Sequence, residues 1–204
     1  SHQTMTNGSD IGHNDDPVIN IVGLPMLQGA LILPFPEHPD QYVLFHEEMF
    51  VEGDWLGARP LYYSVVDMSS ENGAGALVQN SVVLSNDTLE YGKIAATRHA
   101  NGRDWWVAVP RLSDGSLFMY LLDPDGVTNT GITEPGVVRY REFGNAIFSP
   151  DGRYYVNASS SSSFSLWGFD RCSGTFSLIE HYFDPDSPED PGIVCFSPNS
   201  RYLY

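Results

Sequence analysis

Two aspartates of this sequence have neighbours that suit carbohydrate chemistry. Asp104 directly precedes the pair Trp105-Trp106, and Asp151 lies in the segment FSPDG at residues 148–152. Glycosidases use two carboxyl groups, one as proton donor and one as nucleophile or base, so these aspartates are the candidates for such a pair. Asp-Gly is also the usual composition of a tight turn between strands. We therefore predict structural roles for both, and the chain is not expected to be an enzyme.

An acidic segment at residues 184–191 is the main candidate metal site. Calcium binds through several carboxylate oxygens, but three prolines stiffen this segment and it lacks the EF-hand spacing, so a solvated linker is the alternative. A zinc-binding motif is missing from His46-Glu47-Glu48, because position 50 is Phe50 rather than a second histidine. No cofactor is therefore expected, with calcium left open. The candidate calcium ligands are Asp184, Asp186, Glu189 and Asp190.

Three tryptophans are the candidates for ligand contact. Trp55 lies in residues 47–59, which are predicted to form a long loop, and exposed loops commonly carry recognition residues. Trp105 and Trp106 are adjacent, so they point to opposite faces of a strand. One of them is expected in a core and the other between neighbouring sheets. His99 is predicted to be a buried histidine that hydrogen-bonds a neighbouring loop.

The charge of the chain excludes two classes of partner. Lys and Arg number 10 against 26 Asp and Glu, which gives a formal charge of −16, and Lys93 is the only lysine. Nucleic-acid binding requires a positive surface, and an anionic membrane repels an acidic one. No apolar run is long enough to span a bilayer. We expect neither nucleic-acid binding nor membrane insertion, and an acidic, lysine-poor surface suits an extracellular protein.

Short strands dominate the pattern along the chain. Runs rich in Val, Ile, Tyr, Phe and Trp are bounded by Gly, Pro, Asn and Asp, whereas long helical patterns are lacking. The turn segments Asn101-Gly102-Arg103, Asp151-Gly152-Arg153 and Asn199-Ser200-Arg201 lie 50 and 48 residues apart. A repeat of roughly 40 to 50 residues that holds four strands is typical of a β-propeller blade. The sequence therefore predicts an all-β protein with a β-propeller architecture.

The repeat also predicts where the blades lie. The segment FSPDGRYY at residues 148–155 returns as FSPNSRYL at residues 196–203, one residue before the end. We therefore expect about three blades plus parts of flanking blades, as a fragment of a larger propeller. The predicted divisions are 1–27 (end of a preceding blade and an insertion loop), 28–84, 91–138 and 143–183 (one blade each), and 192–204 (first hairpin of a further blade).

The two cysteines, Cys172 and Cys195, give an open prediction. Secretion would favour a disulfide between them. In the predicted blade register, however, Cys172 lies in an outer hairpin turn and Cys195 on the innermost strand of the next blade. A disulfide needs Cα atoms within roughly 7 Å, so the bond is slightly disfavoured.

Several segments resemble those of one family of secreted bacterial proteins. KIAATRHANGRDWW at residues 93–106, FDRCSG at 169–174, YSVVDM at 63–68 and HQTMTNG at 2–8 are similar to segments of WD40-like propellers in Bacteroidetes surface proteins. That family is exported by the type IX, gliding motility-associated secretion system. The resemblance implies an extracellular or cell-surface location, a non-catalytic propeller and a separate C-terminal sorting domain. Residues 10–26 and 47–59 depart from the family pattern.

These observations favour a non-catalytic extracellular scaffold or recognition module of a larger surface protein. Its expected partners are other domains of the same polypeptide, or surface proteins and glycans bound through its loops. Two alternatives stay open. One is a propeller hydrolase of polysaccharides with carboxylates in the central funnel. The other is a self-assembling extracellular subunit, because unpaired sheet edges favour association.

Overall fold

The computed structural model describes residues 5–9, 11, 26–52, 55–133, 144–159, 163–183 and 192–204. Within these residues the chain forms twelve β-strands and one short 3-10 turn, Glu71–Gly73. In the part of the chain that is described, no helix has the length and apolar content needed to cross a membrane. The strands are β1 Ala30–Pro34, β2 Gln41–Glu52, β3 Trp55–Asp67, β4 Ala76–Ser85, β5 Ala95–Arg98, β6 Trp105–Pro110, β7 Leu117–Asp123, β8 Gly126–Thr133, β9 Gly144–Phe148, β10 Tyr154–Ser159, β11 Ser163–Asp170 and β12 Thr175–Phe183.

The strands form three four-stranded antiparallel sheets. Their orders are β1-β2-β3-β4, β5-β6-β7-β8 and β9-β10-β11-β12, so each sheet is built from strands consecutive in the chain. Consecutive strands joined by short turns are the arrangement expected for propeller blades. The all-β prediction is confirmed, and the three sheets are consistent with a segment of a β-propeller. The number of blades in a complete ring stays a prediction.

The first strands of the three sheets come together around Gln28. Its backbone oxygen accepts a hydrogen bond from the Ile94 N–H at 3.2 Å, just before β5. Its side-chain amide bonds both the oxygen and the N–H of Ala146 in β9, at 3.1 and 2.9 Å. One residue at the start of the first sheet therefore ties the inner strands of the other two together.

Two apolar cores lie between successive sheets. The first contains Phe45 and Leu61 from the first sheet with Val107 and Tyr120 from the second. The second contains Trp106 from the second sheet with other large residues from the third, including Trp167. Because alternate residues of a strand face opposite sides, the middle sheet contributes to both cores. This packing fixes the second and third sheets against each other.

The repeated hairpin turn is the same in both of its strong copies. Ser149 Oγ accepts the Tyr154 N–H at 3.0 Å and donates to Asp151 at 2.7 Å. In the second copy, Ser197 Oγ accepts the Tyr202 N–H at 3.0 Å and donates to Asn199 at 2.7 Å. Serine and Asx side chains commonly close turns in this way. The sequence repeat at residues 148–155 and 196–203 is therefore a structural repeat.

The prediction of a long loop at residues 47–59 is wrong. Strands β2 and β3 continue into this region as one long hairpin, in which Glu47 pairs with Leu61 and Met49 with Ala58. A shift of register between Glu47 and Met49 accommodates the extension. The polar pair Glu47-Glu48 hid the strand pattern, because a buried glutamate breaks the alternation by which a half-buried strand is recognised.

Candidate functional site

Asp104 is fixed within its own hairpin turn. It is almost completely buried and accepts hydrogen bonds from Asn101 Nδ2 at 2.6 Å and Arg103 Nε at 2.7 Å. The bond from the Arg103 side chain is the largest cause of the lowered pKa of Asp104. Arg103 also bonds Glu37, in the turn between β1 and β2, at 2.6 Å. Asp104 is thus an ionised anchor between two sheets.

Asp151 is likewise fixed within its own hairpin turn, in the third sheet. Its carboxylate accepts hydrogen bonds from Ser149 Oγ at 2.7 Å and from Arg153 Nε at 2.8 Å. Burial alone raises the pKa of Asp151, but the hydrogen bonds from Ser149 and Arg153 outweigh it and lower the pKa to about 2. A general acid needs a raised pKa. The lowered pKa values therefore favour neither Asp104 nor Asp151 as a general acid.

A cleft of 520 Å³ opens between the second and third sheets, at the ends that carry the repeated turns. We call it the arginine cleft, after Arg98 on one wall and Arg171 on the other. Its size falls within the usual range for small-ligand sites, roughly 300–1,000 Å³. It is lined by Ala96, Thr97, Arg98, Trp105, Phe148, Ser149, Pro150, Asp151 and Arg171.

The two arginines of the cleft differ from their neighbours in their partners. Arg103, Arg111 and Arg153 each pair with at least one carboxylate. Among the described residues, Arg98 and Arg171 form no ion pair. Arg98 instead lies over the Trp105 ring at 3.9 Å and donates to the Arg103 carbonyl at 2.9 Å. The Asp151 carboxylate also lines the cleft, but it is paired with Arg153 at 2.7 Å. The guanidinium groups of Arg98 and Arg171 can therefore bind an anion.

The backbone around Arg171 is held by the second sheet. Its carbonyl accepts hydrogen bonds from the Trp106 indole N–H at 2.8 Å and from the Ala100 N–H at 3.0 Å. The neighbouring Cys172 carbonyl contacts the His99 ring nitrogen at 3.2 Å. The cleft wall that carries Arg171 is therefore fixed to the opposite wall. The prediction of a hydrogen bond from His99 to a neighbouring loop is correct, but the side chain is half-exposed rather than buried.

The structure separates the three tryptophan candidates. Trp106 is only 6% exposed and its ring lies in the second core, so it is the tryptophan of the adjacent pair that was expected in a core. Trp105 lines the cleft, but it packs against the first core and Arg98 covers its ring. Contact with a ligand at Trp105 therefore involves its edge rather than a free face. The side chain of Trp55 lies outside the described residues.

The remaining predicted sites lie partly outside the described residues. Asp184, Asp186, Glu189 and Asp190 all do. Within the described part of the chain, no group of three His, Cys, Asp or Glu side chains is arranged to hold a metal ion. Cys172 and Cys195 are both exposed, free thiols.

A cluster of buried polar side chains was not predicted from the sequence. Lys93 Nζ is fully buried and lies 2.9 Å from Glu90 Oε2, 3.0 Å from Asn157 Oδ1 and 3.4 Å from Ser159 Oγ. Glu90 Oε2 also accepts a hydrogen bond from Asn157 Nδ2 at 3.2 Å. We call these four residues the buried polar cluster. It joins the segment before β5 to β10, and so joins the second sheet to the third.

A second buried carboxyl lies on the long hairpin. Glu47 is fully buried, and its Oε1 accepts a hydrogen bond from the Gly92 N–H at 2.6 Å. Burial raises the pKa of Glu47 to about 8, although the bond from Gly92 acts in the opposite direction. Next to it in the chain, burial lowers the pKa of His46 to about 4. Both groups are therefore favoured in their neutral forms near neutral pH.

Comparison with known proteins supports the fold and goes no further. The sequence matches no known protein family and no curated protein. A proposed 6-phosphogluconolactonase from Bacteroides fragilis is 14% identical, with a TM-score of 0.53 over 78% of this chain and 47% of that one. A proposed 6-phosphogluconolactonase from Bacteroides uniformis is 16% identical, with a TM-score of 0.53 over 78% of this chain and 46% of that one. The periplasmic gluconolactonase of Pseudomonas aeruginosa is 18% identical, with a TM-score of 0.50 over 78% of this chain and 46% of that one.

These likenesses decide the fold class. The chain has a β-propeller-like fold. It spans slightly less than half the length of each of the three proteins. At such low identity the likeness concerns the fold alone, because one fold serves many unrelated functions.

Proposed function

We propose that this chain is a non-catalytic recognition segment of an extracellular β-propeller, and that it binds a carboxylated glycan in the arginine cleft. The observation that carries the proposal is the pair Arg98 and Arg171, which face one cleft from two sheets without forming an ion pair. A guanidinium group binds a carboxylate through two parallel hydrogen bonds. A polymer of uronic acids presents such a carboxylate on every sugar ring.

The rigidity of the cleft supports recognition. Arg98 is held by a backbone carbonyl and by the Trp105 ring, and the backbone of Arg171 is held by Trp106 and Ala100. Groups that are already ordered lose less conformational entropy when a ligand binds. The cleft can therefore bind a small ligand without a loop that closes over it.

A non-catalytic role is supported by the two aspartates that were the candidates for a glycosidase pair. Asp104 and Asp151 have lowered pKa values, owing mainly to hydrogen bonds from Arg103 to Asp104 and from Ser149 and Arg153 to Asp151. The extracellular location rests on the acidic, lysine-poor composition and on the resemblance to type IX-secreted surface proteins. In that setting, further domains of the same polypeptide and surface glycans are the proposed partners.

Replacing Arg171 by glutamine is expected to weaken binding of an oligogalacturonate by at least about tenfold, because one charge-assisted bond is lost. The matched control is Arg201→Gln, which removes the same charge from an exposed arginine that does not line the cleft. Isothermal titration calorimetry measures both. About 0.15 M salt should be used, because the net charge of −16 repels acidic ligands and salt screens that repulsion.

Three results would contradict this proposal. Equal binding by the Arg171 and Arg201 variants would place the ligand elsewhere. Binding of polyglutamate but not of oligogalacturonate would replace the glycan by an acidic peptide. Turnover of a polysaccharide or a lactone that is abolished by Asp104→Asn would show that the chain is an enzyme.

A further inference from the structure

Lys93 is the only lysine of the chain, and it is buried between two sheets. Lysine side chains are normally exposed, and they are almost never buried without a partner. The partners here are a carboxyl group, a carboxamide and a hydroxyl. An amine next to a carboxamide is a nucleophile next to an acyl group, so this cluster can do chemistry as well as pack.

The distances place all the reacting groups together. Lys93 Nζ lies 3.0 Å from Asn157 Oδ1. Because a C=O bond is about 1.2 Å long, the carbon of that carboxamide lies no further than about 4.2 Å from Nζ, near the range for attack. Glu90 Oε2 lies 2.9 Å from Nζ and 3.2 Å from Asn157 Nδ2. One carboxyl oxygen therefore contacts both the nucleophile and the leaving group.

We propose that Lys93 and Asn157 react to form an intramolecular isopeptide bond. Glu90, paired with Nζ at 2.9 Å, takes a proton from it, the resulting amine attacks Cγ of Asn157, the Cγ–Nδ2 bond breaks and one molecule of ammonia leaves. Glu90 delivers that first proton to Nδ2 and takes up the second proton that Nζ loses as the amide forms. The reaction exchanges one amide for another, so it requires neither an oxidant nor an energy source.

The surroundings of the cluster favour this reaction. Lys93, Glu90 and Asn157 are at most 1% exposed, so water does not compete for the acyl carbon. Fixed proximity of this kind makes slow intramolecular reactions efficient. Ser159 Oγ contacts Nζ at 3.4 Å and helps to hold it in place.

The bond would join two sheets through residues that are 64 positions apart in the sequence. It would close a large covalent loop, which restricts the unfolded chain as a disulfide does. Cys172 and Cys195 do not supply such a tie, since both thiols are free. The isopeptide bond is independent of the ligand proposed for the arginine cleft.

The mass of the folded chain tests the proposal. We expect an intact mass about 17 Da below that calculated from the sequence, which is the loss of one ammonia. After denaturation, an amine-reactive ester should label the N-terminus but not Lys93, and a protease digest should yield one branched peptide that contains Lys93 and Asn157. The variants Glu90→Gln and Asn157→Ala should have the full mass and a reactive Lys93.

An unmodified mass of the wild-type chain, with a Lys93 that is labelled after denaturation, would overturn the proposal. A branched peptide in Glu90→Gln at the wild-type yield would overturn the role of Glu90. Circular dichroism shows whether each variant folds. If neither variant folds, the wild-type mass decides alone.

Discussion

Replacing Lys93 by methionine is expected to lower the free energy of unfolding by about 3–5 kcal/mol. Methionine keeps the length and the apolar part of the side chain but removes the group that faces Glu90 at 2.9 Å. A carboxyl that is 1% exposed then loses the hydrogen bond from Nζ in a site that water does not reach. A covalent link between Lys93 and Asn157 would add to the loss. Urea unfolding, followed by tryptophan fluorescence, measures it.

Two further variants separate this effect from a general change of charge. Arg201→Met removes an exposed cation and should change stability little. The double variant Lys93→Met with Glu90→Met should recover part of the loss, because neither charged group then remains buried. A loss below about 1 kcal/mol for Lys93→Met would contradict the role assigned to the buried polar cluster.

The stability of the chain is expected to fall by about 2 kcal/mol between pH 6.5 and 8 because of Glu47. The pKa of Glu47 is about 8 in the folded state against 4.5 for an ordinary glutamate. Between these values the unfolded chain releases the proton while the folded chain keeps it, so stability decreases as pH rises. His46 acts in the opposite direction, but only below its ordinary pKa of 6.5. Above that pH the opposing contribution of His46 fades within about one pH unit, and the contribution of Glu47 dominates.

Glu47→Gln tests this pH dependence. Glutamine still offers an oxygen to the Gly92 N–H, but it does not ionise. The difference in unfolding free energy between Glu47→Gln and the wild type should therefore grow by about 2 kcal/mol from pH 6.5 to 8, in favour of the variant. Glu180→Gln is the matched control, since Glu180 is exposed on β12. A difference that stays constant with pH would show that Glu47 is ionised in the folded chain.

The fold was predictable because its signals are local. The turn segments at Gly102, Gly152 and Ser200 have positive φ angles of 75°, 72° and 58°, and the residue types that favour such angles repeat at a regular spacing. Two of these turns use the same serine-to-Asx hydrogen bonds. Each signal depends on residues within about one hairpin, which a single sequence contains.

The long hairpin, the buried Glu47 and the buried polar cluster were harder to predict. Glu47 and Glu90 are fully buried, although glutamate almost always marks an exposed position. Lys93 as the sole lysine was visible in the composition. Its burial depends on Asn157, which lies in another sheet, and pairing at that sequence distance leaves no local pattern.

The arginine cleft could not be predicted for the same reason. Arg98 ends β5, whereas Arg171 follows β11 in the next sheet. They come together because the second core and the bond from Trp106 to the Arg171 carbonyl set the position of one sheet against the other. The sequence placed Trp105 and Trp106 on opposite faces, but it did not indicate which face opens to the cleft.

Ligand binding in the arginine cleft is tested by an NMR titration of the ¹⁵N-labelled chain with an oligogalacturonate, followed through the arginine Nε–Hε resonances. Arg98 and Arg171 should shift and saturate together at one ligand per chain, while Arg201 stays unchanged and serves as an internal reference. Binding that leaves Arg98 and Arg171 unshifted, or no binding at all, would contradict the assignment of the cleft as the recognition site.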